Sequence, residues 1–112
     1  PPSVIAAAEA EMQSVSVMEG DPVTLHVPQL QGNELIVWGF GDEGKRIAKH
    51  DMEAKSSKLY DTDKRFRDRL KLDHQTGSLI ITNSTTTDSG PYTVKISSNK
   101  QTSYKRFTVT VR

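Results

Sequence analysis

From Gln13 onward, apolar residues recur at every second position in short runs separated by polar turns, and no segment sustains a helical period. The run "SVSV" leads into the turn "MEGDP", and "VTLHV" sets Val23, Leu25 and Val27 on one side. "ELIVWGF" is dense enough to read as a central strand, and "KRIAKH" resumes alternation after the turn "GDEG". Further along, "DRLKLD" pairs Leu70 with Leu72, "TGSLIIT" pairs Leu79 with Ile81, and "YTVKIS" aligns Tyr92, Val94 and Ile96. The last run, "RFTVTVR", aligns Phe107, Val109 and Val111. At least eight short strands at this spacing predict an all-β sandwich or barrel. Residues 1–12, "PPSVIAAAEAEM", differ in character and are expected to be a flexible leader or a remnant of expression. Residues 13–112 are then the single domain.

A chain of 112 residues has room for one core, and an apolar fraction of 34% makes that core thin, as between two sheets. Net charge is +1 with no long block of one sign, so attraction to phosphate backbones is weak and nucleic acid is not an expected partner. No apolar run approaches the ~18 residues that span a bilayer. The chain is expected to be soluble as it stands, and is equally compatible with a fragment of a longer membrane protein. It contains no cysteine, which on its own favours a reducing compartment.

Six positions stand at mutually consistent spacings. Val27 ends "GDPVTLHV", and Trp38 follows eleven residues later; Arg69 opens "RLKL", and Asp88 and Tyr92 precede Val94 in "DSGPYTV". Trp38 fills a sandwich centre and needs one partner for its indole N–H. Gly90 suits a tight turn, and Pro91 fixes φ at the entry to a strand.

Together these residues resemble the immunoglobulin variable-type domain, a Greek-key sandwich of two antiparallel sheets. Its pattern sets a cysteine in strand B, a tryptophan in strand C and Asp-x-Gly-x-Tyr-x-Cys into strand F. The resemblance implies a tyrosine corner at Tyr92 and an ion pair between Arg69 and Asp88 at the base of the fold. Both cysteine positions, Val27 and Val94, are valine. The missing disulfide would have contributed about 4 kcal/mol. Two buried, facing valines would recover about 1.5–3 kcal/mol each. Paired loss of both cysteines narrows the resemblance to the first domain of the signalling lymphocyte activation molecule family of leukocyte adhesion receptors. "LIVWGFGDEGKRIAKH" and "KRFRDRLKLDHQTGSLIITN" look like that family's C to C-prime and D to E segments.

That resemblance implies an extracellular domain at the cell membrane that binds itself or a related immunoglobulin-superfamily receptor on an opposing cell. Contact would be made by the outer face of the sheet formed by strands G, F, C, C-prime and C-double-prime. Alternation then assigns residues to that face: Leu35 and Val37 beside Gly39, Arg46 and Ala48 flanking an inward Ile47, and Lys95 and Ser97 with Thr93. The F–G turn adds Asn99 and Lys100, and strand G adds Tyr104 and Arg106. Outward Leu35 and Val37 among cations form the patch that asks for a protein partner, since antiparallel sheets usually show water a polar face.

Other chemistries find little support. His26, His50 and His74 lie on separate strands or turns with no spacing that brings two onto one face, so no metal is expected. No Ser, His and Asp arrangement supports a nucleophile, and Asp61, Asp63, Asp68 and Asp73 are interleaved with cations. Neither catalysis, nor a cofactor, nor a small-molecule substrate is expected. "KRFRDR" reads as a solvated loop ending at Arg69 rather than as a polyanion site. "NST" marks Asn83 as a glycosylation acceptor if the chain is secreted. The alternative is a structural or intracellular immunoglobulin-like module, which also lacks disulfides. A C-double-prime strand within "SSKLYDTDKRF" separates the two readings, because such modules generally lack it.

Overall fold

A computed structural model describes residues 12–28, 30–61 and 63–112. Among the described residues nine strands form, β1 (Met12–Val17), β2 (Val23–Leu25), β3 (Leu35–Phe40), β4 (Lys45–Asp51), β5 (Ser56–Leu59), β6 (Leu70–Leu72), β7 (Leu79–Ile81), β8 (Gly90–Ser97) and β9 (Thr102–Val111). A 3₁₀ turn, Thr86–Asp88, precedes β8. The strands make a six-stranded sheet ordered β1-β9-β8-β3-β4-β5 and a three-stranded sheet ordered β2-β7-β6. This is the expected two-layer all-β architecture. It differs from a purely antiparallel sandwich in one pairing, because β1 runs parallel to β9, from Met12↔Arg106 to Val17↔Val111.

The inward residues of both sheets meet in one core that includes Val23, Leu25, Ile36, Trp38, Ile47, Leu79, Ile81, Tyr92, Val94, Phe107 and Val109. Trp38 lies at its centre with none of its surface exposed, its ring centroid 5.6 Å from that of Phe107. Its indole N–H donates to the Gly77 carbonyl at 3.0 Å. Gly77 sits in the β6–β7 turn at φ +76°, and a Cβ there would fall 2.2 Å from Ile36 Cδ1. Only glycine meets both demands, a left-handed backbone and close approach to the core.

Val27 departs from expectation. β2 ends at Leu25, and Val27 lies beyond it, half-buried against the core, whereas Val94 is fully buried. Continuing the β2–β7 register would set Val27 opposite Gly77, whose left-handed turn cannot extend the ladder. Pro28 follows at once and has no N–H to offer. Of the expected leader, Met12 is the first residue of β1, and residues 1–11 lie outside the described residues.

Candidate functional site

Strand β3 sits third from one edge of the large sheet, between β8 and β4. Its alternation turns Ile36, Trp38 and Phe40 to the core and leaves Leu35 and Val37 half-buried on the outer side. Register extends these positions into rows. Leu35 pairs with Ser97 on β8 and Asp51 on β4; Val37 pairs with Lys95 and Lys49. Lys95 pairs with Tyr104 on β9, and Lys49 with Lys58 on β5. The next row holds Arg46, Gly39, Thr93 and Arg106.

The expected residues Leu35, Val37, Arg46, Lys95, Ser97, Tyr104 and Arg106 line one shallow outer concavity, joined by Lys49, Thr93 and the β3–β4 turn with Asp42 and Glu43. That turn closes over Gly39, where a Cβ would meet the Gly44 carbonyl oxygen at 2.8 Å. Asn99 and Lys100 do not join the concavity. They form the exposed tip of the β8–β9 hairpin, closed by the Ser98 N–H to the Gln101 carbonyl at 2.9 Å.

Ala48 is the clear correction. It is fully buried, paired with Trp38, and points into the core rather than outward. The register slips between Trp38 and Gly39, so Ile47 is the extra residue of a β-bulge and the parity of the strand reverses across it. Arg46 and Lys49 therefore share the outer side, while Ile47, Ala48 and His50 are buried. The adjacent apolar pair Ile47–Ala48, a break in period two, is the sequence signal for this bulge.

At the base of the sandwich the expected structural cluster forms. Arg69 makes a bidentate ion pair with Asp88, each N–H donating at 2.8 Å, and Asp88 has no exposed surface. Asp88 Oδ2 also accepts the Thr85 N–H at 2.9 Å, and Arg69 donates to the Arg65, Thr82 and Asn83 carbonyls. The Tyr92 hydroxyl donates to the Asp88 carbonyl at 2.6 Å. Burial, and next the Asp88 charge, push the Tyr92 phenol far above its ordinary range, so this donor keeps its proton. Asn83 is exposed just past β7, with φ +48°.

The histidines are less scattered than their sequence separation suggests. His50, on the inner side of β4, stacks on His74 of the β6–β7 turn with centroids 5.2 Å apart. Its Nε2 lies 2.9 Å from the His74 carbonyl, an acceptor only, so Nε2 carries the proton. Two histidines thus meet across the sheets, and no third potential metal ligand joins them among the described residues.

Residues 11–112 match the immunoglobulin V-set domain family. No curated protein sequence matches the chain. Among solved structures, the first immunoglobulin-like domain of human CD48 antigen superposes with a TM-score of 0.78 at 21% identity, covering 93% of this chain and 84% of that one. CD84, in a structure described in terms of SLAM family function, gives 0.73 at 19% identity, with 90% and 97% covered. The CD2-binding domain of CD58 (lymphocyte function-associated antigen 3) gives 0.68 at 25% identity, covering 90% of this chain and 54% of that one. The chain therefore spans about half the length of that CD58 structure.

Proposed function

The chain belongs to the immunoglobulin V-set domain family, and from that premise we propose that it is the extracellular recognition domain of an immune cell-surface receptor. It binds another protein through the outer face of β9, β8, β3 and β4. The observation that carries this reading is the half-buried pair Leu35 and Val37 on the water-facing side of a central strand, with Lys49 and Lys95 flanking Val37, set in a shallow concavity. Apolar side chains in that position gain from being covered by a partner, and the surrounding charge selects which partner covers them. A domain of the same fold, at 25% identity, is named for binding the protein CD2. Strand β5, the C-double-prime strand, supports a receptor rather than an intracellular module. Exposure of Asn83 supports its glycosylation, at a turn joined to the small sheet rather than on the proposed face.

The test is adhesion of cells displaying the domain to leukocytes, with Val37→Asp and Arg46→Glu as variants. Both should retain the wild-type circular dichroism spectrum and lose adhesion. Unchanged adhesion in both would show that the face is assigned wrongly.

A further inference from the structure

Charge on the outer face is segregated by the register. One row reads Lys58, Lys49, Val37, Lys95, Tyr104 across five strands, and the next reads Arg46, Gly39, Thr93, Arg106 across four. Lys49 and Lys58 stand directly opposite each other, an arrangement of like charges that weakens a sheet. Among the described residues, Arg65 pairs with Asp63 and Arg69 with Asp88, and none of these five face cations takes part in either ion pair. Lys58 lies over the Tyr60 ring at 4.8 Å, and the Arg106 Nε is buried without an acceptor. Carboxylates are kept to the margins. Asp42 and Glu43 are in the β3–β4 turn, and Asp51, beside Leu35, accepts the Ala54 N–H at 3.1 Å.

Resting on the proposed function, we infer that the face takes the carboxylate-rich, partly apolar face of a different protein, and that its own charge disfavours a second copy of this chain. A twofold self-pairing would press the same patch against itself. The cations of Lys49, Lys95, Arg46 and Arg106 would then meet cations, with few carboxylates to offset them. An acidic partner meets every one of them and covers Val37, Leu35 and Tyr104 with apolar surface. A sulfated polysaccharide would satisfy the charge and leave the apolar centre uncovered.

The experiment is an amide-resolved NMR titration of the labelled chain with three probes. These are the unlabelled chain, the chain carrying Lys49→Glu, Lys95→Glu and Arg106→Glu as an acidic face of the same shape, and a heparin oligosaccharide. The acidic-faced probe should shift amides of β3, β4, β8 and β9, and high salt should weaken its affinity roughly tenfold. Val37→Asp in the labelled chain should abolish the effect, and Lys95→Ala, at an exposed position, should weaken it without touching the core. The unlabelled chain should produce no shifts, and any heparin binding should ignore Val37→Asp. Self-titration as tight as the acidic probe would overturn the inference while leaving the face as a protein-binding surface. Absence of any response to the acidic probe, or tighter binding of heparin that Val37→Asp leaves intact, would also overturn it. Shifts from a protein probe confined to β2, β6 and β7 would remove the face assignment itself.

Discussion

Asp88 shows how much of the fold rests on single polar groups. Its carboxylate takes both Arg69 N–H groups and the Thr85 N–H, and its carbonyl takes the Tyr92 hydroxyl, so one residue ties β6, the 3₁₀ turn and β8 together. Asp88→Ala would strand the guanidinium and is expected to cost about 3–5 kcal/mol, against about 1–2 kcal/mol for Tyr92→Phe, both measured by urea unfolding. Comparable losses would show that the ion pair adds nothing beyond the phenol bond. Glu34 makes a second, local knot: its carboxylate accepts the Gln31 and Gly32 N–H groups at 2.9 Å and that of Asn33 at 3.1 Å. Burial acts to raise its pKa, but the loop N–H groups prevail and hold it below the ordinary glutamate value of 4.5. A depressed carboxylate stabilises the fold above its unfolded value, and that stability is lost as pH falls through its folded value. Stability should therefore decline below about pH 4.5, and Glu34→Gln should flatten part of that decline in acid titrations followed by fluorescence. The Asp88 cluster was legible in the sequence because Arg69, Asp88 and Tyr92 keep family spacings. The Glu34 knot was not, since a carboxylate folding back on its own loop leaves no periodic trace.

At the scale of elements, the β4 bulge decides what the outer face presents. Simple alternation puts Ala48 outside and Lys49 inside, and the structure reverses both. Ala48→Glu would bury a carboxylate against Trp38 and should unfold the domain or cost several kcal/mol. Lys49→Glu should change stability by no more than about 0.5 kcal/mol. Thermal melts of the two variants check the parity, and the opposite ranking would place the bulge elsewhere. Strand existence and type were readable in all eight expected runs, from apolar density in "ELIVWGF" and from alternation elsewhere, because most side chains are committed to the core or to water. Parity within β4 was not readable from alternation, since a bulge inserts one residue and inverts everything on one side of it. The end of β2 was hidden for a related reason: Val27 keeps the period, yet its partner position is occupied by the left-handed turn at Gly77.

Over the whole molecule, a net charge of +1 concealed the segregation of charge that the register produces. The sequence interleaves Lys, Arg, Asp and Glu, and only pairing five strands side by side gathers the cations onto one face. The same assembly grades stability across the sheet. Central β3 and β8 bury alternate residues, Ile36, Trp38, Tyr92 and Val94 among them completely, whereas every residue of edge strand β5 is exposed. Hydrogen exchange should be slowest from Ile36 to Phe40 and from Tyr92 to Ile96, and fastest in Ser56–Leu59. Equal protection of β5 and β3 would mean that the sandwich opens only as a unit.

The parallel pairing of β1 with β9 has a mechanical consequence. Met12 lies level with Arg106 and Val17 level with Val111, so the leading end of β1 and the trailing end of β9 point to opposite poles of the sandwich. Tension applied between those two ends slides the strands along each other and loads all six paired positions together, instead of peeling them apart in turn. A domain pulled between two surfaces in that direction resists as a lap joint does, and yields late and all at once.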